Sequence, residues 1–248
     1  MISCDTKIIM HGDSSINKKM SRDELKDYSE PNMLDVIVIT KDNENELMST
    51  LGSLLPSLNI INRIIIIDDS MVNNNDKVKQ VLKDEDKFIY CFQQGGSIYG
   101  AFNKAMKFIT SDYIFINSGD LLISMNNKIT HRPVRLQTIG LKDGNVTKIL
   151  RPNRLFLWFN HQSIIFDRNY RGKFDEKYKI AADFDFYLKY VRMYGTPKCA
   201  DIKTGLIGFD LSGISARRKL SRDLEYVSIY MKNGYPFRGF IFIVIMLF

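Results

Sequence analysis

Four β-branched, apolar runs recur along the first half of this chain at intervals of roughly 25 residues, and they constrain the fold more than any other feature. They are "LDVIVIT" (34–40), "RIIIIDD" (63–69), "KFIYCF" (87–92) and "DYIFIN" (112–117). Between the first two, Leu47, Leu51, Leu54, Leu55 and Leu58 recur at helical spacing. Val78, Val81 and Leu82 follow the second run, and Phe102, Ala105, Met106 and Ile109 follow a Gly-Gly turn after the third. Strands that alternate with amphipathic helices predict a βαβ series with a mostly parallel sheet, buried on both faces. After Leu122 the order loosens into short strands such as 134–140 and 162–167. Helices are predicted at about 181–194 and 217–233. Residues 1–33 read as a polar extension with one short helix around 21–28, and 34–235 as the folded domain.

The totals narrow the class. The chain has 248 residues, 45% of them hydrophobic, which is ample for a core. A net charge of +7 suits an anionic partner without choosing one. Cys4, Cys91 and Cys199 are scattered and odd in number, which fits a reducing compartment. With only three histidines, a His-rich zinc site is not expected. The N-terminus lacks the apolar run of a signal peptide. The last ten residues, "GFIFIVIMLF", carry no charge but are too short to span a bilayer, which takes about 20 residues. They read as a final buried strand or helix, or as a membrane-surface tail (236–248) helped by Arg217, Arg218, Lys219 and Arg222.

In an open α/β sheet, ligands bind beyond the carboxyl ends of the strands. Polar residues gather there: Thr40, Lys41, Asp42 and Asn43 after the first run, Asp68 and Asp69 after the second, Asn117 and Asp120 after the fourth. Taken singly, each is an ordinary cap or turn residue; their joint placement points to a site. A haloacid-dehalogenase-like phosphotransferase wants an acid where Ser70 stands. A dinucleotide fingerprint needs glycine at Ser97, and after the first strand. Sugar-nucleotide binding fits better. An acid at the end of the second strand can accept from a base or ribose, and one at the end of the fourth can hold a divalent cation against a diphosphate.

The segments "VIVITKDNENE", "RIIIIDDS", "GGSIYGAFNKAMKFITSDYIFINSGD", "HQSIIF", "GKFDEKYKIAADFDFYLK" and "SGIS" resemble family 2 glycosyltransferases of the GT-A fold. The nearest in pattern are bacterial enzymes of colanic acid, O-antigen, capsule and exopolysaccharide synthesis. The resemblance implies a Rossmann-like, mostly parallel central sheet flanked by helices, with an appended acceptor-side C-terminal half. It implies an inverting transferase of hexosyltransferase type, moving a sugar from a nucleotide-sugar donor, UDP foremost, to a saccharide acceptor. It places Thr40, Asn43, Asp68, Asn103, Lys104 and Ser118 on the donor side and Asp120 at the metal, Mn²⁺ or Mg²⁺. His161, Gln162 and Asp185 fall on the acceptor side, and Asp183 is the catalytic base. Asp183 also sits near a helix start, where an acid is favoured in any case. A lipid-linked acceptor and a cytoplasmic location, peripheral on the inner membrane face, follow as expectations; nucleic acid is not an expected partner. Trp158 reads as core or as a sugar-stacking residue.

The sequence departs from the family pattern at Gly100, where an aspartate is usual, at Asp69-Ser70-Met71 in place of D-G-S, and at Ser212 in place of a glycine. The other readings are a sugar nucleotidyltransferase, for which "TKDNENE" is the wrong loop, and an inactive sugar-nucleotide-binding subunit of a polysaccharide assembly complex.

Overall fold

The computed structural model describes residues 33–83, 85–125, 134–142, 145–151, 153, 155–157, 160–200, 205–211 and 219–247. The predicted helix at 21–28, Trp158 and Ser212 lie outside these residues. The four apolar runs form β1 (Leu34–Thr40), β2 (Ile61–Asp68), β3 (Phe88–Phe92) and β4 (Asp112–Asn117), all parallel, in the order β3-β2-β1-β4. Between them lie α1 (Glu44–Leu54), α2 (Asn75–Leu82) and α3 (Ile98–Ala105). α1 gives way at Leu54 to a 3-10 turn carrying Pro56, and α2 ends at Lys83 in the left-handed region. The Ser97 hydroxyl caps α3 by accepting from the Gly100 N–H.

Alternate residues of each central strand face opposite cores, as a doubly covered sheet requires. Val36 and Val38 of β1, Ile64 and Ile66 of β2, and Ile114 and Ile116 of β4 pack with the α1 leucines and Val78 into an aliphatic core. Ile37, Ile65, Tyr113 and Phe115 point the other way, into a core dominated by rings. Phe115 meets Phe102, Tyr113, Phe166, Phe174 and Phe186 edge-on.

The second half supplies β5 (Leu121–Met125), β6 (Val134–Arg135), β7 (Gln137–Lys142), β8 (Asn145–Ile149), β9 (Ile164–Ile165), β10 (Lys198–Cys199) and β11 (Gly205–Asp210). They form a mixed sheet β5-β11-β7-β8 and a short one, β10-β6-β9. The strand expected over 134–140 is thus two, parted at Leu136, whose N–H turns to the Ser163 carbonyl. α4 (Ala182–Tyr194) buries Phe186, Leu188 and Tyr190 in the aromatic core. The C-terminal hairpin is α5 (Lys219–Lys232) and α6 (Pro236–Leu247), turned at Gly234 with φ +81°. The apolar tail is therefore a helix, and its Phe242 joins the aromatic core.

Candidate functional site

The sheet order places β2 and β4 on either side of β1, so the topology switches direction between β1 and β4 and opens a crevice at their carboxyl ends. Thr40 pairs with Asp68, and Ile39 with Asn117, which brings three polar strand ends level. Thr40 Oγ1 and Asn117 Oδ1 are buried and have no hydrogen-bond partner among the described residues. Unpaired buried polar atoms cost free energy, so two of them at a switch point mark a place prepared for a polar ligand.

Asp68 is fully buried, and both its oxygens are engaged. Oδ1 accepts from the Ser70 N–H (2.9 Å), and Oδ2 from Asn74 Nδ2 (2.9 Å) and the Tyr90 hydroxyl (2.6 Å). It organises the loop behind the crevice. Asp69 is the first residue past the ladder. Its carboxylate receives the Lys41 ammonium at 2.7 Å and the Gly96 N–H at 3.2 Å, joining the loops after β1, β2 and β3. Burial pushes Asp69 up, but Lys41 and the Gly96 amide outweigh it and leave the group below the usual carboxylate range. Asp42, at φ +51°, completes the bracing. Its N–H donates to Ser70 Oγ, and its carboxylate accepts from the Met71 N–H. Asp68, expected on the donor side, is the last paired position of β2, and Asp69 follows it at the strand end.

Asp120, expected at the cation, is held by main-chain amides. It is 2% exposed; Oδ2 accepts from the Asn117 N–H (3.1 Å) and Oδ1 from the Asp210 N–H (2.9 Å). Its carbonyl accepts from Thr50 Oγ1, which in turn accepts from the Gly119 N–H. Gly119 stands at φ +96°, which lets the chain reverse here. Burial pushes Asp120 up to about 7, against the pull of the two amides and of the nearby His161. Asp120 thus clamps the β4–β5 turn to β11. Among the described residues no group of three or more His, Cys, Asp or Glu could hold a metal ion, so a cation here would rest on one or two carboxylates with diphosphate and water completing its shell.

The catalytic position expected at Asp183 lies in the first turn of α4. Its Oδ2 is 2.8 Å from His161 Nδ1, and its side chain is 26% exposed. Tyr99 of α3 stands 3.4 Å from Oδ1 and donates its proton at 2.5 Å to the Ile180 carbonyl. His161 opens a 3-10 turn (His161–Ser163) started by Asn160, whose side chain accepts from the Gln162 N–H. His161 Nε2 is buried without a partner among the described residues. Gln162 is buried, while Asn43 and Ser118 are more open at the loop tips. Asp185 is not brought to this place. It is fully buried and held by Lys189 (2.5 Å) and Asn233 (2.8 Å) behind α4.

Asn103 spends both ends of its amide on residues 174–176, donating to the Phe174 carbonyl and Glu176 and accepting from the Phe174 N–H. Lys104 donates to Gln93 Oε1 (3.2 Å), at the start of the β3–α3 loop. At Gly100 a Cβ would come 2.9 Å from Glu176 Oε2, so a side chain there would move the end of Glu176. The Glu176 carboxylate, held by Ser97 and Asn103, occupies that space from another part of the chain.

Residues 35–131 match the family model of Glycosyl transferase family 2. No curated protein sequence matches the chain. Among solved structures, Staphylococcus aureus TarS is similar at a TM-score of 0.57 and 15% identity, covering 79% of this chain and 39% of that one. TarS 1–349 in complex with UDP-GlcNAc gives 0.59 and 16%, covering 82% and 66%. The chain thus spans less than two thirds of the TarS chains it matches. Glucosyl-3-phosphoglycerate synthase from Mycobacterium tuberculosis, in complex with Mn²⁺, UDP and glucosyl-3-phosphoglycerate, gives 0.52 and 11%, covering 90% and 88%. The fold is the mixed α/β GT-A fold, its four-stranded parallel sheet flanked by helices, and over residues 35–131 the sequence resembles family 2 glycosyltransferases.

Proposed function

We propose that the chain is a nucleotide-sugar glycosyltransferase that moves a hexosyl unit from a UDP-sugar to a saccharide acceptor, with inversion. The observation that carries this reading is Asp183, a partly exposed carboxylate held by His161 and set against Tyr99. The donor loops would hold the nucleotide: Asp69 accepts from the base, while Thr40 and Asn117 supply polar atoms at the switch point. The acceptor hydroxyl oxygen bonds to the anomeric carbon as the bond from that carbon to the donor phosphate breaks on the opposite face. The acceptor proton passes to a carboxylate oxygen of Asp183, and the nucleoside diphosphate leaves with the bonding electron pair. His161 fixes the direction from which Asp183 approaches. A base so placed contributes about 10²–10⁴-fold.

The family 2 pattern, the UDP-GlcNAc complex of TarS and the UDP complex of glucosyl-3-phosphoglycerate synthase support the donor class. Synthesis of a surface polysaccharide on a lipid-linked acceptor is the context we infer from the sequence resemblance. No helix of the described residues is long and apolar enough to cross a membrane.

A thermal-shift and donor-hydrolysis screen of UDP-, GDP- and dTDP-sugars, each with Mn²⁺ or with EDTA, tests the proposal. A UDP-sugar should stabilise the chain most, and the Mn²⁺ and EDTA arms report whether a cation takes part. Asp183→Asn should keep donor binding and lose roughly 10²-fold or more in transfer. If no donor stabilises the chain, or the Asn variant transfers normally, the reading fails.

A further inference from the structure

Asp183 stands in the first turn of a helix that has no cap of its own. Ala181, at the N-cap of α4, offers no side-chain acceptor, and the acids of the first turn are Asp183 and Asp185. An acid in that place ordinarily turns back to the free amides of its own helix start. Asp183 instead points to His161 Nδ1 at 2.8 Å, with the Tyr99 hydroxyl beside it at 3.4 Å.

The amides behind it are taken by a side chain from the C-terminal hairpin. Glu225 of α5 accepts from three successive N–H groups, Oε1 from Lys179 (2.8 Å) and Oε2 from Ile180 (3.0 Å) and Ala181 (2.8 Å). Successive amides converging on one carboxylate form an anion nest. Such charge-assisted bonds are roughly twice as strong as neutral ones. Ile180 is thereby gripped on both sides, since its carbonyl accepts from the Tyr99 hydroxyl. α5 holds the same segment at further points. Lys232 pairs with Asp175 at 2.8 Å, and Phe184, next to Asp183, lies edge-on to Tyr226 and Tyr230. Glu225 thus acts on the main chain that leads into Asp183.

We infer that Glu225 is a positioning residue for the base. By taking the amides of residues 179–181 it leaves the Asp183 carboxylate to face His161 and the acceptor hydroxyl. This rests on the transferase reading and adds to it a residue that the sequence resemblance does not mark.

Glu225→Gln tests the inference, because it keeps the shape of the side chain but turns an NH₂ group toward the amides. The rate is read as hydrolysis of the UDP-sugar that most stabilises the chain, with water as the acceptor. kcat should fall roughly tenfold or more, while donor KM and the thermal shift given by UDP stay as in the unmodified chain. Glu225→Asp keeps the charge one methylene short of the amides and should lose less; it carries the test if the Gln variant does not fold. In an Asp183→Asn background, Glu225→Gln should cost no further activity, because the group it positions is gone. A merely structural role would lower that residual rate by the same factor. Unchanged kcat in the folded variants, a change confined to KM, or an equal loss in the Asp183→Asn background overturns the inference. Failure of the transferase reading is distinct from these: there no donor stabilises the chain, or Asp183→Asn alone keeps the full rate.

Discussion

The two faces of the central sheet are built from the same strands yet do different work. On the aliphatic face, Val36, Val38, Ile64, Ile66, Ile114 and Ile116 pack against α1 and α2, and that side ends at Asp120, a carboxylate closed in by backbone amides. On the aromatic face the strands meet rings, and the ring hydroxyls reach out to main-chain carbonyls of other segments. Tyr113 donates to Tyr170, Tyr170 to Phe186, Tyr230 to Phe156, and Tyr99 to Ile180. That side ends at Asp183, an acid open to a substrate. Aliphatic packing is non-directional and fills space, whereas a buried tyrosine packs and also fixes a loop at a defined point. The site is positioned from the aromatic side.

The largest effect should separate the two faces at adjacent residues. Phe115→Ala should cost about 4 kcal/mol, because its ring is the hub of the aromatic core. Ile114→Val should cost about 1 kcal/mol and leave transfer unchanged. Urea unfolding with parallel activity assays checks both. Equal losses of activity in the two variants would erase the distinction.

The next effect tests the closed acid. The Asp120 carboxyl is raised from 3.8 to about 7, so over that interval the folded chain holds a proton that the unfolded chain has released. Stability from this group is therefore complete below about pH 4 and is lost as pH rises through 7, by up to about 1.4 kcal/mol per pH unit. Unfolding midpoints at pH 5 and pH 7.5 should show this decline, and Asp120→Asn should flatten it. An unchanged slope in the variant would move the titration to another group.

The smallest effect lies where the faces serve the site. Tyr99→Phe should lose about 1 kcal/mol of stability with the bond to the Ile180 carbonyl. It should lower kcat several-fold while donor KM stays level, since Asp183 loses a neighbour and the donor loops do not. A change in KM alone would place Tyr99 with the donor.

The difference between the faces also decides what could be read in advance. β1 to β4 and their helices were legible because a strand buried on both sides writes an unbroken β-branched run. In the second half the helices near 181–194 and 217–233 were legible, but the strands were not, since β6, β9 and β10 are two-residue strands set by distant partners such as the Ser163 carbonyl at Leu136. Among site residues, His161 and Asp183, separate expectations of the sequence resemblance, stand 2.8 Å apart. Asp68, Asp120 and Asp185 accept hydrogen bonds from residues distant in the chain, and such engagement does not show in a sequence. Glu176 filling the space at Gly100 joins residues far apart in the chain and leaves no local mark.

The carboxylates that close the strand ends share one habit. Asp35 accepts from the Thr110 and Ser111 N–H groups, Asp68 from Ser70, Asp112 from Arg168, and Asp120 from Asn117 and Asp210. What each one recognises is a main-chain N–H, which every residue but proline provides. The main-chain bond itself therefore asks nothing of the partner's side chain; the only rule it carries is a prohibition. Proline at residue 70, 110, 111, 117, 168 or 210 would release a pin. A pin of this kind appears in the sequence as an acid at either end of an apolar run, a mark that a catalytic carboxylate can also leave.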